Sequence, residues 1–324
     1  MQLFTPVDIE KSPLPITHDT PVMLLGSCFS DSISRRMSAQ LFSVTANPLG
    51  TLYNPLSILK CLKILTSGRQ LTEADLTYHG GLYHSYLCHS RLSHPTAKAT
   101  LTAINTAITE ASEELRRVSH IFITLGTALV YTLKENGEVV ANCHKMPAGI
   151  FTRRMLGVEE AAQALRDCIA TIRSVNTDSR IIFTVSPIRH LSDGAHLNTL
   201  SKSTLHLATS LVDGAEYFPA FEIINDELRD YRFYAADMAH PSEVAADIVY
   251  ERFSQSFYSP ATHSVAAECA RLARRIAHRP LTTNTEAIQA FRNQTMQAAE
   301  ALIAKYPSVK SAVTRLLTTY TYTS

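Results

Sequence analysis

The sequence predicts an α/β domain with a mostly parallel sheet, followed by a helical appendage. Three observations predict it. Apolar runs with strand character alternate with segments of helical period as far as Phe218. After Phe257 three helical segments succeed one another with no strand between them. An apolar fraction of 45% over 324 residues, with no apolar run of membrane-spanning length, describes a globular chain able to bury a core.

In order, strands are expected over Val22 to Leu25, Phe42 to Thr45, His120 to Leu125, Arg180 to Val185 and Glu216 to Phe218. Helices between them are expected over Asp31 to Leu41, Pro55 to Leu65, Ala97 to Val118, Val158 to Val175 and Gly194 to Val212, where apolar residues recur three and four apart. Two segments break the alternation. Tyr78 to Leu87 reads as a short hairpin, and Tyr131 to Glu135 meets Glu138 to Ala141 across Asn136-Gly137, the strongest short hairpin signal. Both belong at the edge of the sheet, where walls of a site are often built. The appendage reads as helices over Ser264 to Ala277, Glu286 to Lys305 and Ser308 to Thr318. This divides the chain into 1–258 and 259–324, with no low-complexity linker, so the appendage is expected to pack on the core. Its long helices could also form a homodimer surface.

Lysine plus arginine (30) nearly equal aspartate plus glutamate (29), and no long basic run occurs. Neither nucleic acid nor a membrane is therefore expected as a partner, and the substrate should be small or neutral. Six cysteines are scattered with no CxxC pair, which fits reduced thiols and argues against structural zinc. Met1-Gln2-Leu3-Phe4, running into Asp8 and Glu10, has neither the basic nor the apolar region of a secretory signal, so a cytoplasmic location is the expectation.

Chemistry concentrates at Gly26-Ser27-Cys28-Phe29, directly after the first strand. A serine hydroxyl is a poor nucleophile and needs a base, an orienting acid and an oxyanion site. A helix starting near Ser30 or Asp31 would bring the amides of Ser27 and Cys28 to its N-terminus, where negative charge is favoured. The plain structural alternative is that Ser27 or Ser30 caps that helix. Asp237-Met238-Ala239-His240 precedes a helix start at Pro241-Ser242-Glu243, and in such a loop a carboxylate can bond one imidazole nitrogen while the other reaches a serine. A second D-x-x-H, Asp193-Gly194-Ala195-His196, sits where a helix begins, with Asp193 suited to an N-cap.

Several separated segments resemble the GSCFA-domain family, within the SGNH (GDSL-type) hydrolase superfamily. The naming tetrapeptide stands as Gly26-Ser27-Cys28-Phe29, with Ser30 where the family name has alanine. Similar segments are Asn47-Pro48-Leu49-Gly50, Leu52-Tyr53-Asn54-Pro55, Thr124-Leu125-Gly126-Thr127-Ala128, Asn142-Cys143-His144-Lys145, Ser186-Pro187-Ile188-Arg189-His190, Leu228 to Tyr234, and Asp237-Met238-Ala239-His240-Pro241. The resemblance implies a flavodoxin-like, three-layer α/β/α fold with Ser27 as nucleophile and Asp237 and His240 as its partners. It also implies Gly50 as an oxyanion glycine. Where the superfamily has an oxyanion asparagine this chain offers Thr127 and Ala128, so Thr127, Asn142 or Arg189 is the expected substitute.

His79, His84, His89 and His94 are spaced by five, which changes face on a strand and turns about 140° on a helix, so no metal site is expected there. His89, with Ser90, remains a substrate-contacting candidate, as do His144 and His190. Cys28 could itself attack, as could Cys143 beside His144, but neither has a base and acid placed by sequence, and a buried small side chain is the expected role of Cys28. Tyr231, Phe233 and Tyr234 read as a short strand or pocket wall. The functional expectation is a cofactor-free serine esterase or O-acyltransferase acting on O-acyl groups, most plausibly acetyl, of a carbohydrate or other small polar substrate. The alternative is a carbohydrate- or metabolite-binding module that keeps the fold without the chemistry.

Overall fold

Apolar residues on both faces of a strand suit the middle of a sheet covered on both sides, which is what these strand sequences require. The computed structural model describes residues 5–278, 281 and 283–322, so Met1-Gln2-Leu3-Phe4 lies outside it. Its strands are β1 (Val22–Gly26), β2 (Val44–Ala46), β3 (Thr77–His79), β4 (Leu82–His84), β5 (His120–Leu125), β6 (Leu129–Leu133), β7 (Val139–Val140), β8 (Phe151–Met155), β9 (Arg180–Val185) and β10 (Glu216–Tyr217). Its helices are α1 (Cys28–Ala39), α2 (Pro55–Ser67), α3 (Ala97–Leu115), α4 (Val158–Arg173), α5 (Ala195–Ser210), α6 (Ala220–Glu222, prolonged by a π turn), α7 (Glu243–Phe257), α8 (Pro260–Ala277), α9 (Thr285–Lys305) and α10 (Lys310–Tyr322).

The central sheet is parallel throughout, in the order β10-β9-β5-β1-β2. Numbered among themselves, these strands run 2-1-3-4-5 across the sheet, the doubly wound order whose switch point lies between β1 and β5. Alternation along each strand feeds two cores. Met23, Leu25, Ile121, Ile123, Ile181 and Phe183 pack toward α2 to α5. Val22, Leu24, Phe122 and Ile182 face α1 and α7, with Phe253 and Phe257 at their centre. Helices therefore cover both faces, as a three-layer arrangement requires.

Most differences from the expected elements sit at ends, but two matter for the site. The first helix starts at Cys28 rather than Asp31, with Ser27 as its N-cap. The hairpin at Asn136-Gly137 gains a third strand, β8, which pairs antiparallel with β6. Elsewhere, the second strand slides from Phe42 to Val44, because Phe42 leaves the ladder to stack on His18 and Tyr258. Gly194, not Asp193, is the N-cap residue of α5, and it makes no side-chain cap bond. Tyr231–Phe233 forms a 3-10 turn, not a strand, and Tyr231 is exposed.

In the appendage, α8, α9 and α10 share a small core of Cys269, Leu272, Ala299, Leu302 and Val313, joined by Leu41 after α1. Thr262 on α8 donates its hydroxyl to Ile16 O, and Ala266 enters the core under α1 and α7, so α8 packs on the α/β body. Among the described residues no helix is long and apolar enough to cross a membrane.

Two buried histidines give the fold a pH dependence. Burial pushes His120 and His144 down to about 4 from 6.5, so each is neutral in the native state near neutrality. Their contribution to stability is complete above the unfolded value and fades as pH falls toward the folded one. The urea midpoint should therefore drop between pH 7 and pH 4.5, and His144→Gln should make that dependence shallower by nearly one proton. An equal slope in the variant would contradict it.

Candidate active site

The site forms where β1 ends and α1 begins, at the carboxyl edge of the sheet beside its switch point. Gly26 makes that corner possible. Its φ is 121°, and a Cβ there would lie 2.0 Å from Thr124 O on the neighbouring strand. Asn47 braces the corner from the other side: its Oδ1 accepts from the Gly26 amide (2.8 Å), and its Nδ2 donates to Asp31 Oδ1 (3.0 Å). Ser30 is buried, and its hydroxyl is bonded with Thr124 Oγ1 and Leu25 O, so the residue departing from the family tetrapeptide plus alanine has local partners.

Ser27 is 1% exposed, and its Oγ accepts from the Phe29 amide at 3.3 Å, a cap geometry. Its own amide donates to Thr124 O, so of the two amides expected at the helix start only that of Cys28 is left outside the ladder. No hydrogen bond joins Ser27 to His240 among the described residues. The side chain that faces His240 is Cys28, with Sγ 4.0 Å from Nε2. This corrects the expected geometry. Starting the helix at Cys28 turns Ser27 inward as a cap and turns the next side chain toward the imidazole.

Asp237 and His240 meet as their spacing predicts. Asp237 Oδ2 lies 2.6 Å from His240 Nδ1, while Oδ1 accepts from the amides of Ala239 and His240 at 3.0 Å each. Those amides, with the imidazole bond, hold the carboxyl down to about 2. An ionised carboxylate on Nδ1 fixes the tautomer with its proton there and leaves Nε2 an acceptor. The loop is tightly wound: Met238 has φ 56°, and Arg189 N donates to Ala239 O, tying the loop to the segment after β9.

A cavity of 570 Å³ opens beside this group. Cys28, Tyr53, Thr127, Asn142, Arg189, His190 and His240 line it, and β6 to β8 supply a wall with Tyr131, Phe151 and Arg153. The Arg153 guanidinium lies over the Tyr131 ring, 5.2 Å from its centroid. Arg153 and Arg189 make the lining basic, since it includes no aspartate or glutamate. Burial is the main influence raising the Cys28 thiol above its ordinary value, with Asp31 adding to it.

The remaining candidates divide. Thr127, Asn142, Arg189 and His190 reach the cavity. The Thr127 hydroxyl is already bonded to Ser201 Oγ and accepts from Leu129 N, whereas the Asn142 carbonyl oxygen accepts from the His144 amide. Gly50 does not line the cavity; its amide donates to Asn47 O, and its missing side chain makes room for His89, whose Cβ would be 2.1 Å from a Cβ there. His89 is accordingly packed on Gly50 and accepts from the Arg91 amide. His144 is buried, bonded through Nε2 to Ser85 O and through Nδ1 to Ser90 Oγ, and stacked on His84. It holds loops together and does not line the cavity.

Two contributors are not marked by any motif in the sequence. The β8 wall carries Arg153, whose segment Phe-Thr-Arg-Arg-Met has a polar centre. Lys202 is 3% exposed, with Nζ bonded to Gly126 O (2.6 Å) and Ser186 O (2.7 Å). Its one signal is position: with Asn198, Ser201, Leu205 and Ala208 it lies on the buried stripe of α5, where a lysine is out of place.

Set against known families, residues 21–253 match the GSCFA family and residues 269–315 match the GSCFA domain protein, C-terminal domain. None of the curated proteins compared matches the chain.

Proposed function

Since the chain belongs to the GSCFA family, we propose that it is an acyl-transfer enzyme of the SGNH type, an ester hydrolase or O-acyltransferase, in which Cys28 attacks in place of a serine. The observation that carries this reading is the line Cys28 Sγ, His240 Nε2, His240 Nδ1, Asp237 Oδ2, closed by the 2.6 Å carboxylate bond.

Burial disfavours a free thiolate, so the proton leaves Sγ for His240 Nε2 as sulfur adds to the ester carbonyl carbon. Asp237 holds the imidazole and balances the imidazolium that forms. The carbonyl oxygen becomes an oxyanion against the Cys28 amide at the first position of α1, where the helix end favours negative charge. Collapse returns the electron pair, expels the alkoxide with the proton from His240, and leaves a thioester on Cys28. Water or an acceptor hydroxyl then gives its proton to His240, attacks the thioester carbonyl, and releases the thiol. The basic lining favours a polar or negatively charged substrate, with an acetyl-sized acyl group on a carbohydrate hydroxyl as the leading case.

A binding module is the second reading, favoured by the raised thiol. The two separate in one assay. The purified protein should cleave a short-chain acyl ester, and iodoacetamide should abolish that turnover with one adduct on Cys28. Turnover that persists with Cys28 fully alkylated, or no turnover of any short-chain ester, would sink the enzymatic reading.

A further inference from the structure

Lys202 is the group whose chemistry the acyl-transfer steps leave unused. It is buried on α5, and its ammonium reaches two carbonyls, Gly126 O and Ser186 O, at the ends of β5 and β9. The sheet register places that ammonium relative to the cysteine. Gly26 pairs with Thr124, and Thr124 with Thr184, so residues beyond those rungs leave the sheet at one level. Gly126 and Ser186 follow on β5 and β9, and Cys28 follows on β1. Lys202 thus stands over the same edge as the sulfur, a strand or two away, at roughly 5 Å per strand.

A buried cation needs a compensating anion, because carbonyl dipoles replace only part of its lost hydration. Burial disfavours the Lys202 ammonium most, an ionised Cys28 would favour it, and the Arg189 guanidinium opposes it. Reciprocally, Lys202 is a charge that favours ionisation of Cys28. The other groups facing the pair are Asp31 on α1, Tyr53 before α2, His240 with Asp237 in the loop before α7, and His206 one turn along α5. Of these, Asp31 opposes a thiolate and His240 takes its proton.

We propose that Lys202 is a positioning residue with an electrostatic role, in which it ties the ends of β5 and β9 together and supplies a positive charge that favours negative charge at Cys28. Burial brings Lys202 itself down to about 7, so the charge is present below that pH and fades above it. The inference rests on Cys28 as the attacking group, yet it concerns charge at sulfur and not turnover.

The test is the rate of iodoacetamide addition to Cys28 in the full-length protein between pH 6 and 9, read by site-resolved mass spectrometry so that Cys143 does not interfere. Lys202→Met and Lys202→Gln should slow alkylation at pH 6 about tenfold, a difference that shrinks as pH rises past 7, while Lys202→Arg keeps the native rate at pH 6. If Lys202→Met does not fold, Lys202→Gln, which keeps donors for the two carbonyls, carries the comparison. A folded Lys202→Gln protein with the native alkylation rate at pH 6, or a Lys202→Arg protein as slow there as Lys202→Gln, overturns the inference. Because alkylation needs no ester, a failed esterase assay leaves this result interpretable, and the reverse holds too.

Discussion

Cys28→Ala is expected to lose at least ~10³ of kcat/KM toward a short-chain acyl ester, while Ser27→Ala keeps its rate within about tenfold. The contrast follows from one backbone event. With α1 starting at Cys28, the Ser27 hydroxyl is enclosed and accepts from Phe29 N, and the sulfur stands 4.0 Å from the imidazole. Losing the serine removes a cap and costs about 1 kcal/mol of stability, which thermal unfolding would register without a matching loss of rate. Losing the cysteine removes the atom that the proposed mechanism acylates. The result that reverses the assignment is equally clear: an active Cys28→Ala protein beside a dead, folded Ser27→Ala protein would return the role to the serine.

Gly26→Ala should be the most damaging single substitution for the fold. A methyl group there points into Thr124 O at 2.0 Å, and a φ of 121° is closed to L side chains. Since the obstacle is backbone in a buried ladder, no rotamer relieves it, and a loss of about 3 kcal/mol or more is expected. Gly149→Ala is the internal control, because nothing lies within 4 Å of its would-be Cβ and its φ is not positive. That change should be neutral or slightly stabilising through the unfolded chain. Unfolding free energies of the two proteins from urea titration that differ by less than about 1 kcal/mol would refute the role given to Gly26.

Much of the fold was readable because buried parallel strands write themselves as apolar runs. Val22 to Leu25, His120 to Leu125 and Arg180 to Val185 need no partner information to be recognised. β8 is different: Thr152, Arg153 and Arg154 are exposed, so its strand character comes from pairing with β6, a tertiary fact. In the site, Asp237 and His240 were legible because a three-residue spacing brings carboxylate and imidazole together within one loop. The choice between Ser27 and Cys28 was not, since it depends on where the first helix starts. A serine after a strand reads as nucleophile or cap with equal ease, and only the helix phase separates them. Lys202 was hidden for another reason. Its meaning lies in two carbonyls far away in sequence, and amphipathic patterning marks only that a lysine occupies an apolar stripe.

The excursion that walls the cavity leaves and rejoins the sheet through a narrow neck, where Leu156 N donates to Ala128 O at 2.9 Å. The strands between, β6 to β8, pair with one another and add no strand to the central five, while Ala141 N donates to Tyr86 O and His144 is bonded to Ser85 O and Ser90 Oγ. Floor and roof rest on different elements: Cys28 and His240 belong to α1 and the loop before α7, whereas Tyr131, Phe151 and Arg153 hang from the excursion. Substitutions confined to those three side chains would change which molecules are admitted while Cys28, His240 and Asp237 keep their geometry. Exchanging Tyr131, Phe151 and Arg153 while keeping His144 is the corresponding laboratory operation, one expected to trade preference while leaving the proposed reaction alone.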